Sequence, residues 1–120
     1  MARGSSSAAP PSSSTLYTGK HVGEDSNTTR SPDTVGYIVF ESGRGTVNGV
    51  DYVAAVGSDT VAGFDDSPPY TYGFNMLQSA DTAIVSQAAM DGGNGAWPIL
   101  YGPNPLTNNS VDLAIDEDQF

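Results

Sequence analysis

The chain is predicted to be all-β: an antiparallel β-sandwich of about seven short strands behind an extended or disordered N-terminal arm. Three observations carry this. Short runs of β-branched and aromatic residues recur between turn-forming residues, with 14 Gly and 8 Pro among 120 residues. No stretch sustains the 3.6-residue apolar period of a helix. Met1 to Thr15, MARGSSSAAPPSSST, holds nothing it can bury. The expected division is an arm over residues 1–22 and a sandwich over residues 23–120.

Ser31-Pro32 breaks the polar stretch after the arm, and Thr34 to Glu41 (TVGYIVFE) is the strongest strand candidate. Val35, Tyr37 and Val39 alternate with Ile38 and Phe40, so both faces are apolar and a covered, central strand is expected. Asn48-Gly49 between Thr46-Val47 and Val50-Asp51 predicts a two-residue hairpin, because a type I′ turn needs positive φ at both central positions. Asp65-Asp66-Ser67-Pro68-Pro69 is read as a loop, since the two prolines have no backbone donor. Tyr70 to Leu77 is read as a further strand; Thr82 to Met90 could be helix by its Ala content, but its position and bounding turns favour strand. Asp91-Gly92-Gly93-Asn94-Gly95 reverses the chain into Ala96 to Tyr101, where Pro98 argues for a sheet edge or a bulge. Ser110 to Ile115 is the last strand, expected to be half-buried. The predicted core is Val35, Tyr37, Ile38, Val39, Phe40, Val50, Tyr52, Phe74, Ile84, Val85, Trp97, Leu100, Leu113 and Ile115.

Charge is distributed unevenly. Residues 1–44 are neutral overall, with Arg3, Lys20, Arg30 and Arg44 balancing Glu24, Asp25, Asp33 and Glu41. Residues 45–120 hold ten carboxylates and no Lys, Arg or His, which accounts for the whole net charge of -10. An acidic surface of this kind argues against nucleic acid and anionic lipid as partners. No apolar run is long enough to span a bilayer, and no 7–15-residue apolar core follows Arg3, so neither membrane insertion nor an export signal is expected.

The chemistry of catalysis is thin. There is no cysteine, the single histidine is His21, and no Gly-x-Ser-x-Gly elbow, phosphate loop or dinucleotide fingerprint occurs. The chain is therefore read as a non-enzyme without a required cofactor. Calcium is the one candidate ion, because its oxygen ligands are present at Asp65 and Asp66, at Asp91 with Asn94, and at Asp116, Glu117 and Asp118. Those spacings match no EF-hand, and solvated acids that confer solubility are the simpler reading. Tyr70, Tyr72, Trp97 and Tyr101 are candidates for a glycan-stacking platform, against the commoner role of aromatics as core. Asn27-Thr28-Thr29 and Asn108-Asn109-Ser110 fit the N-glycosylation pattern of secreted proteins.

Val35-Gly36-Tyr37-Ile38-Val39-Phe40-Glu41 resembles the closing strand of a β-module that recurs in large secreted bacterial surface proteins. That module is similar to the H-type lectin sandwich. Asp91 through Tyr101 and Asp112 to Gln119 share its look, so the resemblance spans residues 24–119. Arg30 stands where the module has His and Asp33 where it has Glu, and no sugar-binding residue carries over. The module runs acidic strand first and closing strand second. Here the order is reversed, and Gly23-Glu24-Asp25-Ser26 echoes Asp116-Glu117-Asp118-Gln119, so the chain reads as a circular permutation. The resemblance implies that Thr34–Glu41 fills the place after Gln119, within its own chain or in a neighbour.

The expected function is a non-catalytic structural protein in a homo-oligomer or larger symmetric assembly. The leading setting is a virion surface, as a capsid decoration or cement protein. Leu16 and Tyr17 are candidate anchors of the arm, and Arg3, Lys20 and Arg30 are candidates to pair with a neighbour's acidic surface. The alternatives are an extracellular fibre subunit joined by strand donation and a calcium-assisted carbohydrate-binding module.

Overall fold

The computed structural model describes residues 12–16, 26–27, 29–75, 77–88 and 96–117. The described residues are all-β, and their strands form two antiparallel sheets. The first is the ribbon of β1 (Gly43–Val47) and β2 (Val50–Ala54). The second holds β3 (Tyr70–Gly73), β4 (Ala96–Leu100) and β5 (Ser110–Glu117) in the order β3-β5-β4. Between the sheets lies one 3-10 turn, Phe64–Asp66, followed by the loop with the Pro68–Pro69 peptide in cis.

The ribbon forms where the Asn-Gly pair placed it. Asn48 at φ 50° and Gly49 at φ 82° close a two-residue type I′ turn, and Val47 faces Val50. Opposite Tyr52, Gly45 leaves room for the ring: a Cβ there would lie 2.6 Å from the Tyr52 ring atoms. The ring of Phe40 packs on the same Tyr52, 5.2 Å away at 58°.

In the three-stranded sheet, β5 is central and both of its edges are occupied along its length. β3 pairs with Ser110–Leu113, and beyond it Ala62 accepts a hydrogen bond from the Ile115 amide at 2.9 Å. On the other edge β4 pairs with Leu113–Glu117, and the following loop continues through Tyr101, whose amide reaches the Asp112 carbonyl at 3.0 Å, and Pro105, whose carbonyl accepts from the Asp112 amide at 2.8 Å. The Tyr72 hydroxyl donates to the Ser58 carbonyl and lies 3.2 Å from the Thr60 hydroxyl, which holds the loop after β2 against β3. Among the described residues, that loop links the two sheets, and no strand of the ribbon packs against a strand of the larger sheet.

Several expectations need correcting. Five strands form among the described residues, where about seven were expected. Thr34–Glu41 lies in no sheet and is exposed throughout, although its residues favour strand strongly. Thr82 to Ala88 also lacks sheet pairing, yet its burial alternates: Ala83, Val85 and Gln87 are half-buried, and the residues between them are exposed. Both segments have the composition of a strand, but among the described residues no strand pairs with either. The core is correspondingly small. Of the predicted residues Leu113 alone is buried, at 7% exposure, and the apolar residue that joins it is Ala114, at 0%. Val35, Tyr37, Ile38, Val39, Phe40, Val50, Ile84, Trp97 and Leu100 are exposed, and Tyr52, Phe74, Val85 and Ile115 are half-buried. The last strand is better covered than expected, because Leu113 and Ala114 point to opposite faces and both are sealed.

Candidate functional site

The segment of residues 34–41 lies in no strand and leads through the bend at Ser42 into β1. Its apolar side chains are open to solvent on both faces, with Ile38 82% exposed. Among the described residues none of its peptide groups enters a ladder or a backbone hydrogen bond. Its last residues are anchored to the ribbon: Phe40 by the Tyr52 ring, and the adjoining Ser42 by a 3.4 Å hydrogen bond from its hydroxyl to the Ala54 carbonyl. The other face of the ribbon is polar. Thr46 donates its hydroxyl to Asp51 at 2.6 Å, and the Arg44 guanidinium lies 3.4 Å from the same carboxylate. The Thr46 hydrogen bond first, and Arg44 second, hold the Asp51 carboxyl below its ordinary pKa of 3.8.

Among the described residues the outer edges of β3 and β4 are unpaired, and hydrogen-bond phase sets which peptide groups they present. The Phe74 amide donates to the Asn109 carbonyl at 2.8 Å, which continues the β3–β5 register. Tyr70 and Tyr72 therefore turn their peptide groups toward β5, and Thr71 and Gly73 turn theirs to the open side. On β4, the Tyr101–Asp112 bond sets the same alternation, so Ala96, Pro98 and Leu100 face outward. Pro98 thus costs β4 no bond to β5, and it leaves the outer edge of β4 without a central donor.

The register separates the aromatic residues of the glycan candidate. Tyr70 and Tyr72 share a face with Leu113 and Leu100, whereas Trp97, opposite Asp116, points to the other face and is 48% exposed. The hydroxyls of Tyr70 and Tyr72 are engaged, Tyr70 donating to the Asp66 carbonyl at 2.8 Å, and Tyr101 is half-buried in the loop after β4.

Of the calcium candidates, Asp65, Asp66, Asp116 and Glu117 are described; Asp91, Asn94 and Asp118 lie outside the described residues. Asp66 and Glu117 converge on Gly63, where a Cβ would lie 3.7 Å and 3.3 Å from their carboxylate oxygens. Asp116 belongs to the opposite face of β5. Among the described residues no group of three or more His, Cys, Asp or Glu is arranged to hold a metal ion.

Of the arm residues, Leu16 is exposed and Arg30 donates to the carbonyls of Asn27 and Thr29, the latter at 3.0 Å. Arg3, Tyr17, Lys20 and His21 lie outside the described residues. Thr71 and Gly73 are the positions that the sequence reading passed over. Their signal is the proline spacing, since Pro98 had to sit where its missing N–H faces away from β5. The chain matches no family model, no curated protein and no solved structure.

Proposed function

We propose that this chain is a non-catalytic structural module that assembles by strand donation, with Thr34–Glu41 of one copy completing a sheet of another. One observation carries the reading: a strand-length segment, apolar on both faces, stands exposed and, among the described residues, unpaired, beside a body whose described residues include two buried apolar ones, Leu113 and Ala114. Large apolar side chains gain on the order of 2 kcal/mol each when fully removed from water, and an unpaired extended backbone is a template for another chain. The segment thus combines an apolar driving force with free peptide groups, which is what β-augmentation uses. The similarity of Val35–Glu41 to the closing strand of surface-protein modules supports the same reading.

The body suits a surface layer, as in a capsid decoration or an extracellular fibre. Residues 45–120 carry ten carboxylates and no cation, so bodies repel one another except where an uncharged segment joins them. Light scattering of the full chain over a range of concentration and salt tests the proposal. Wild type is expected to associate, more tightly as salt screens the acidic bodies. Ile38→Asp, at a position almost fully exposed in the single chain, is expected to stay monomeric with unchanged folding. Equal association of the two chains overturns the reading.

A further inference from the structure

We infer that the acceptor of the donated segment is the outer edge of β3, where Thr71 and Gly73 of a second copy of this chain present their peptide groups to Thr34–Glu41. The inference rests on the donor role proposed above and adds the surface that receives it.

The acceptor must be an open strand edge with intact donors and acceptors. β5 is closed on both sides. β4 is open, but the peptide nitrogen at the middle of its outward row belongs to Pro98 and carries no hydrogen. β1 turns Arg44 and Thr46 outward, with a charged side chain at its edge, on an isolated two-stranded ribbon. β2 turns Asp51 and Val53 outward, on an isolated two-stranded ribbon whose edge carries a carboxylate. β3 has none of these defects. Thr71 and Gly73 each offer an N–H and a C=O, and Gly73 has no side chain to hold an incoming strand away.

Charge and cover point to the same edge. Tyr70–Gly73 is uncharged, and so is Thr34 to Phe40, so two bodies that each carry the full net charge of -10 can meet there without opposing carboxylates along the paired strands. A fourth strand on β3 also lies beside the sheet that contains Leu113 and Ala114. Because the donor is apolar on both faces, it extends the cover of this sheet on the Tyr70–Tyr72 side and on the Ala114 side together.

The native chain has no cysteine, so introduced thiols report proximity without background. Full-length Ile38→Cys is mixed with full-length Gly73→Cys, or with Leu100→Cys on β4, which keeps Pro98 in place, and treated with a short bismaleimide. The Gly73→Cys mixture is expected to give about tenfold more covalent heterodimer, because pairing raises the local thiol concentration. Gly73→Pro supplies the energetic arm. It deletes one outward N–H and no bond to β5, and a Cβ at Gly73 meets only the Asn109 carbonyl at 3.9 Å. Its association is expected to weaken about tenfold, with Trp97 fluorescence reporting an intact sheet.

Equal cross-linking to both edges overturns the β3 assignment. So does a folded Gly73→Pro chain that associates like wild type. If Ile38→Asp still dissociates in those cases, the donor role stands and only its acceptor is wrong. If Gly73→Pro fails to fold, the cross-linking ratio decides alone. A wild-type chain that never associates overturns both readings.

Discussion

Leu113→Ala against Ile84→Ala tests where the core lies. Both positions are large apolar residues in strand-like sequence, and pattern alone treats them alike. In the structure Leu113 is 7% exposed at the crossing point of three strands, opposite Tyr70 on β3 and Leu100 on β4, whereas Ile84 is 92% exposed. Truncating a buried leucine removes its transfer free energy and leaves a cavity, together about 2–4 kcal/mol. The lower half of that range applies here, because neighbours such as Leu100 are themselves exposed and can relax into the space. At about 4–8 °C per kcal/mol for a domain of this size, Leu113→Ala is expected to lower Tm by about 10–20 °C. Ile84→Ala is expected to change stability by less than about 0.5 kcal/mol. Urea and thermal unfolding followed by the single tryptophan, Trp97 on β4, measures both at a dilution where the chain is monomeric. Equal destabilisation by the two substitutions would refute the reasoning. It would mean that residues 82–88 complete a buried sheet in the single chain.

Two further predictions concern the ribbon. Gly49 stands at φ 82°, so Gly49→Ala is expected to cost about 1 kcal/mol and to speed amide exchange across β1 and β2, while Asn48→Gly leaves exchange unchanged. Unchanged exchange in Gly49→Ala would show that the turn takes another form. The Asp51 carboxyl sits below its ordinary value of 3.8 because Thr46 and then Arg44 favour the ionised form. Its contribution is therefore complete above the ordinary value and is lost as pH falls through the lower folded-state value. Thr46→Val is expected to move the Asp51 titration, followed by carboxyl NMR, back toward the ordinary value; an unmoved titration would place the cause elsewhere.

The charge asymmetry has a mechanical consequence for assembly. Every cation of this chain precedes residue 45, so no two bodies can form ion pairs with each other through residues 45–120. Association between copies must use apolar surface, backbone pairing or the neutral N-terminal part. Thr34–Glu41 supplies apolar surface and free backbone groups at once, within the neutral part. The body itself gains little from ion pairing: the Arg44–Asp51 contact on the ribbon joins two side chains that are each 45% exposed, and such surface pairs contribute little.

Local chemistry was legible in the sequence by itself. The all-β class follows from the turn residues and the missing helical period. The hairpin follows from Asn48-Gly49, because few residue pairs tolerate φ of 50° and 82° in succession. Pro98 narrowed β4 to an edge or a bulge, of which the sheet order shows the edge, and the acidic, cation-free body follows from composition. Pairing was not legible. Thr34–Glu41 and Thr82 to Ala88 carry as much strand propensity as Ser110–Glu117, yet among the described residues only the last is flanked on both edges, by β3 with Ala62 and by β4 with the loop to Pro105. A strand becomes core only when other strands cover it, and its own residues cannot record whether those neighbours exist. Tertiary structure therefore decided that Leu113 and Ala114 are buried, that Trp97 parts from Tyr70 and Tyr72, and that Thr71 and Gly73 face an open edge. Side-chain chemistry acts within a few residues of itself, whereas burial and hydrogen-bond phase depend on which distant segment lies alongside.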